Sequence, residues 1–252
     1  MRVIITAAGA GIGRAIAERL TRDGASLAIT DVDAEALADT KSALGVPDVF
    51  AKVVDAADDA ATAAFVATVC AAWHGLDGLV NNAGIAGPTA GVADMTLAQW
   101  EQTIAVNLTG QFIAARHAVP YLKAGGGGAI VNISSSAGRM GLAYRTPYSA
   151  SKFGVVGFTH ALAKELGLDG IRVNAVLPGI VEGPRIDRVI SARAVQLGIS
   201  EDDMRARLLA TTSMRKAVTA GNVADTVAFL LSDAGAAICG QAIGVDAGLE
   251  NI

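Results

Sequence analysis

The sequence predicts a doubly wound α/β domain, with a seven-stranded parallel sheet and helices on both faces. Two observations carry that prediction. Seven short β-branched runs alternate with longer helical patterns, and strict strand–helix alternation means parallel strands joined by right-handed crossovers. The runs are also continuously apolar rather than alternating, so both faces of the sheet must be covered.

Taken in order, strands are expected at 3–6, 26–30, 49–54, 78–81, 129–133, 172–176 and 242–245. Helices are expected at 13–22, 34–42, 59–73, 97–124, 149–168 and 222–231. The first helix opens behind a run of glycines, and the second behind Asp33, a well-placed N-cap. The glycines at 125–128 make the turn between the 97–124 helix and the fifth strand. After Pro178-Gly179 the rhythm breaks. Residues 180–219 show helical patterns without a strand and carry Arg185, Arg188, Arg193, Arg205 and Arg207. An insertion at that end of the sheet is placed to act as a lid. No linker or internal repeat appears, so residues 1–252 read as a single domain.

Composition limits the function. A chain of 252 residues sits near the upper limit for one core, and 52% hydrophobic with 17% charged residues excludes a disordered chain. With 4% aromatics and 29 glycines, the core must be aliphatic and its backbones must approach closely. A net charge of −4 gives no electrostatic footprint for nucleic acid or an anionic membrane. No stretch of about 18 uncharged apolar residues is present to span a membrane. Residues 2–9 could pass for a signal peptide, but Arg14, Glu18 and Arg19 return charge early, so the chain reads as mature and cytoplasmic. Cys70 and Cys239 form no CxxC pair, which suits a reducing compartment. The high apolar content points to surface buried between subunits.

Chemistry concentrates in a few places. The first strand enters Thr6-Ala7-Ala8-Gly9-Ala10-Gly11-Ile12-Gly13 and then a helix, where a pyrophosphate can approach backbone N–H groups at the helix N-terminus. Asp31 closes the second strand about 20 residues later, where a carboxylate bonds ribose hydroxyls and repels a 2′-phosphate. No basic residue stands at Ala10, Val32 or Ala34 to hold such a phosphate, so NAD is expected rather than NADP. Tyr148 and Lys152 lie four apart on a helix and share a face. A phenol, which titrates near 10 in water, becomes a usable base only where cations favour its ionised form. Thirteen residues before Tyr148, Ser135 follows the fifth strand, where a hydroxyl can bond a substrate oxygen.

In order and spacing these residues resemble the short-chain dehydrogenases/reductases of about 250 residues, over essentially the whole chain. The matching set is the glycine turn, Asp31, Asp55, Asn81-Asn82-Ala83-Gly84, Asn107, Ser135, Tyr148 with Lys152, Pro178-Gly179 and Gly240-Gln241…Val245-Asp246. The resemblance implies a Rossmann-type fold and catalysis by Asn107, Ser135, Tyr148 and Lys152. Tyr148 would be the general base in oxidation and the general acid in reduction, and Ser135 would hold the substrate oxygen. Lys152 would bond the nicotinamide ribose and favour the ionised phenol, while Asn107 would hold a water linking Lys152 to solvent. For the cofactor, it implies Gly9, Gly11, Ile12 and Gly13 at the phosphates, Asp31 at the ribose and Asp55 at the adenine. Asn82, Ala83 and Gly84 would line the adenosine side, with Pro178, Gly179, Ile180 and Val181 at the nicotinamide. Three positions depart from the family: Ala7 and Ala247 replace glycines, and Gly183 replaces a threonine that bonds the carboxamide. Ala7 is expected to weaken cofactor affinity.

The substrate pocket is expected from 85–96, 137–146 and 180–212, with Met140, Leu142 and Tyr144 as an apolar wall beside Ser135. Arg145, Arg185 and Arg188 flank its mouth. Either solvated surface charge or an anionic group on the substrate accounts for them. His74, His117 and His160 lack metal-ligand spacing, so no metal is expected. Cys70 reads as core, and Trp73 and Trp100 as packing at helix ends. The whole predicts an NAD-dependent oxidoreductase interconverting a secondary alcohol and a ketone, acting on a small molecule as a homotetramer. Two alternatives compete: an NADPH-dependent 3-ketoacyl reductase, against which Asp31 speaks, and a non-catalytic nucleotide sensor, against which the retained Tyr148 and Lys152 speak.

Overall fold

The computed structural model describes residues 1–249. The strands are β1 (Arg2–Ile5), β2 (Ser26–Asp31), β3 (Phe50–Val53), β4 (Gly78–Asn81), β5 (Gly128–Ile133), β6 (Ile171–Pro178) and β7 (Ala242–Val245). All neighbours pair in parallel, in the order β3-β2-β1-β4-β5-β6-β7. The order reverses between β1 and β4, which opens a crevice beyond the carboxyl ends of those strands.

Alternation of side chains along each strand divides the core into two layers. Val3 and Ile5 of β1 face one way and pack with Ile16 and Leu20 of α1 (Gly11–Arg22), Leu37 of α2 (Ala34–Leu44) and Val223 and Val227 of α9 (Ala220–Leu231). Ile4 faces the other way. It joins Phe65 and Val69 of α3 (Asp59–Trp73), Ala115 and Leu122 of α5 (Gly110–Ala124) and Leu166 of α6 (Thr146–Leu166). Asp33 caps α2 by accepting from Glu35 and Ala36 N–H, as its position predicts, and Cys70 is buried in the second layer.

Several boundaries differ from the pattern reading. The single helix expected over 97–124 is two, α4 (Leu97–Ile104) and α5, joined by one π turn, Ala105–Thr109. A π turn inserts an extra residue into the helix and is frequent at functional sites. Here it carries Asn107. Helix α6 starts at Thr146 rather than 149, with Pro147 in its first turn, where a missing N–H costs nothing. The insertion holds α7 (Pro184–Leu197) and α8 (Glu201–Leu209), packed on each other through Ile190, Ala194 and Met204. Pairing of Val181 with Val218 ties its two ends together. Trp73 packs edge-on against Phe50, but Trp100 lies inside α4 and is 39% exposed, so it is a surface residue rather than helix-end packing. Among the described residues, no helix is long and apolar enough to cross a membrane.

Candidate active site

The turn between β1 and α1 is built from backbone. Gly9 N donates to the Asp31 carboxylate at 2.8 Å, and a Cβ at Gly9 would stand 2.9 Å from the same oxygen. Gly11 adopts a left-handed φ of +55°, and a Cβ there would meet nothing within 4 Å, so the turn is open on that side. Gly13 is closed in, since its Cβ would stand 2.2 Å from the Ala7 carbonyl oxygen. No side chain caps α1, which leaves its first N–H groups, those of Ile12 and Gly13 included, for an anion. The turn therefore fits a nucleotide pyrophosphate.

Asn82 locks this turn onto β4. Its amide donates to the carbonyls of Ala7 (2.8 Å) and Thr6, while Thr6 Oγ1 accepts from the N–H groups of Asn82 and Ala83, both at 3.0 Å. Asp31 also accepts from Asp33 N and is half-buried. Asp55 is exposed after β3 and accepts from Ala57 N. At the end of β6, Gly179 N donates to Val245 O, and a Cβ on Gly179 would stand 2.6 Å from Asp246 Cβ. Ile180 O accepts from Val218 N, so Pro178 to Val181 are held between β7 and the end of the insertion. Gly183 has a φ of +129°, a region that glycine enters and residues with a Cβ rarely do.

Four groups meet beyond β5. Ser134 Oγ donates to Lys152 O at 2.8 Å and so fastens α6 to the strand end. The Ser135 hydroxyl, one residue on, accepts from Ala137 N at 3.2 Å, and among the described residues it donates to no acceptor. Lys152 Nζ donates to Ile133 O at 2.9 Å and lies 5.9 Å from the centre of the Tyr148 ring. Burial pushes the Lys152 ammonium down to about 7, and the charge of Arg185 adds to the shift. Gly84 passes close by, for a Cβ there would be 3.3 Å from both Lys152 Nζ and Asn107 Oδ1. Asn107 is fully buried. It accepts from Ile85 N (2.7 Å) and donates to Ile85 O and Ser151 Oγ, and that hydroxyl donates on to Tyr148 O. Asn107 thereby joins the β4 loop to the backbone of α6.

Thr6 and Ser151 are the parts of this framework that motif reading missed. Their positions, next to the glycine turn and inside Tyr148-Ser149-Ala150-Ser151-Lys152, were the available signal. On the substrate side, Met140 and Leu142 are half-buried and Leu142 N donates to Ser149 Oγ. Tyr144 is 53% exposed with a φ of +64°. Arg145 is buried and sits over the Tyr148 ring, while Arg185 and Arg188 are exposed on α7.

Known proteins resemble this chain in sequence and in fold. A family model described as enoyl-(acyl carrier protein) reductase matches residues 6–250. The putative ketoacyl reductase 1 of the granaticin polyketide synthase from Streptomyces violaceoruber is 40% identical, over 98% of this chain and 92% of that one. The cis-4-hydroxycyclohexanecarboxylate dehydrogenase of Sinomonas cyclohexanicum is 36% identical over 97% and 94%. A crystal structure of a single-substitution variant of the actinorhodin polyketide ketoreductase with NADPH superposes with a TM-score of 0.94 at 35% identity, covering 100% of this chain and 97% of the other. The chain belongs to the short-chain dehydrogenase/reductase family, and it is an oxidoreductase.

Proposed function

We propose that this chain is an NAD-dependent oxidoreductase that interconverts a secondary alcohol and a ketone, with Tyr148 moving the proton. The observation that carries the reading is the position of Tyr148 and Lys152 one helical turn apart. Lys152 is held on the last carbonyl of β5, the strand that delivers Ser135. When bound, the nicotinamide nucleotide supplies the hydride acceptor in oxidation and the donor in reduction. The chain's residues do the rest. The free O–H of Ser135 bonds the substrate oxygen and fixes its direction. The Tyr148 hydroxyl oxygen, once ionised, takes the proton of the alcohol as its carbon loses hydride, and returns a proton to the oxygen in reduction. Lys152 and Arg145 place positive charge beside the ring. Asn107 positions Tyr148 and the Gly84–Ile85 backbone, and residues 180–219 close over the substrate as a lid.

NAD is favoured by Asp31, whose carboxylate stands at the glycine turn with no basic neighbour at 10, 32 or 34. The NADPH-bound neighbour and the ketoacyl reductase relative favour a second reading, reduction of a 3-ketoacyl group by NADPH. The dehydrogenase relative supports the first, since its name makes a ring alcohol its substrate. A homotetramer built on α4–α6 is supported by exposed apolar side chains there: Trp100, Phe112 (47%) and Phe153 (46%). A cytoplasmic location agrees with two cysteines that are both free thiols. The test is oxidation of a panel of secondary alcohols with NAD and with NADP, read by absorbance of the reduced cofactor. Turnover with NAD upholds the reading; turnover with NADP alone transfers it to the second.

A further inference from the structure

Resting on the oxidoreductase reading, we propose that Arg145 and Arg185 form an anion subsite beside Tyr148, and that the substrate carries a carboxylate near its reacting carbon. The two guanidinium carbons lie 4.7 and 5.8 Å from the centre of the Tyr148 ring. Arg145 comes from the residue preceding α6 and Arg185 from the first turn of α7, so the body of the fold and the insertion each supply one charge.

Arg145 is only 8% exposed. One of its terminal nitrogens donates to Ala86 O at 2.8 Å, while its buried Nε has no acceptor. Burial disfavours this charge, Tyr148 offsets part of that, and the like charges of Arg185 and Arg193 disfavour it further. In a chain with four more acidic than basic side chains, partners are plentiful. Arg2, Arg14, Arg19, Arg116 and Arg205 all have carboxylates in ion-pair contact. Among the described residues, none stands against Arg145, Arg185 or Arg193, nor against Arg22, Arg139, Arg172, Arg188, Arg207 or Arg215; of these only Arg145 is buried. A buried, unpaired guanidinium is a costly arrangement that an incoming anion relieves. A planar guanidinium suits a carboxylate in particular, because two of its N–H groups can engage the two oxygens together, as those of the exposed Arg185 can. The absence of a side-chain cap on α6 adds a weak bias in the same direction.

The pyrophosphate fits elsewhere, at the turn before α1, but a cofactor phosphate and a substrate carboxylate are both anions and the test must separate them. Benzoate and its neutral analogue benzamide are titrated by calorimetry into the protein saturated with NADH. Benzoate is expected to bind at least about tenfold more tightly, the scale of one charge-assisted bond. In Arg185→Gln, an exposed position that folding tolerates, the preference should shrink at least about threefold, and in Arg145→Gln it should vanish. NADH affinity should stay unchanged in both. Equal binding of the two probes to the unaltered protein would overturn the proposal. So would a preference that survives both substitutions. Weakened NADH binding would also overturn it, by assigning the guanidiniums to the cofactor's phosphates. A protein that binds no NADH, or a Tyr148→Phe variant that keeps its turnover, defeats the oxidoreductase reading instead. Benzoate against benzamide on the nucleotide-free protein then still decides the subsite.

Discussion

The Arg145 guanidinium stands 4.7 Å from the centre of the Tyr148 ring, closer than the Lys152 ammonium at 5.9 Å. The two cations differ in constancy. Lys152 is wholly enclosed, and burial brings its titration to about 7, so near neutral pH its charge comes and goes. A guanidinium keeps its charge throughout that range. Arg145, with Arg185 at 5.8 Å, therefore supplies permanent positive charge beside the phenol, and Lys152 supplies the charge that responds to pH.

That burial makes stability depend on pH. The ordinary value for lysine is 10.5 and the folded value is about 7. Between the two, the unfolded chain binds more protons than the folded one, so stability rises with pH. Cys70 works the other way, because burial lifts it from 9.0 to about 11 and costs stability only above 9. Urea unfolding should show the Lys152 contribution cleanly from pH 7 to 9. The unaltered protein should gain about 2–3 kcal/mol relative to Lys152→Met across that window. Parallel curves for the two proteins would show that the ammonium is not buried.

Asp31 governs cofactor choice through a single carboxylate. Removing it in Asp31→Ser takes away the acceptor for the ribose hydroxyls, the bond to Gly9 N and the repulsion of a 2′-phosphate. We expect kcat/KM for NAD to fall by about 10–100-fold and the NADP-to-NAD ratio to rise at least about tenfold. Steady-state kinetics with both cofactors reads this. An unchanged ratio would remove Asp31 from the discrimination.

Ala7 holds a φ of +53°, a left-handed conformation that costs a residue with a Cβ about 1–2 kcal/mol. Glycine enters it freely but loses more entropy on folding. The Ala7→Gly variant should therefore be more stable by up to about 1 kcal/mol. Thermal unfolding checks it, and a lower Tm would mean the Ala7 methyl contributes packing that outweighs its strain.

Much of this architecture was legible because it rests on short-range rules. Short β-branched apolar runs such as Val3-Ile4-Ile5, alternating with helical patterns, point to parallel strands covered on both faces. The roles of Asp33 and Cys70 followed from cap and helix spacing. Other features depend on contacts between distant residues. The π turn at Asn107 falls within an unbroken apolar pattern, and what stabilises it is the bonding of that side chain to Ile85 and Ser151. Trp100 satisfies the spacing of a packed residue, yet 39% of its surface stays exposed. The position of Arg145 under the loop at Ala86 is invisible locally, since a lone arginine before a helix is ordinarily solvated. The strain at Ala7 was likewise visible only as a missing glycine.

The central claim is that Tyr148 moves the proton while other groups hold the nucleotide. The direct measurement is kcat for Tyr148→Phe beside the unaltered protein on the best substrate of the alcohol panel, with NADH affinity determined for both. The account predicts that kcat falls by about 100–10,000-fold with NADH affinity nearly unchanged. A variant that binds NADH equally well and keeps most of its kcat would contradict it.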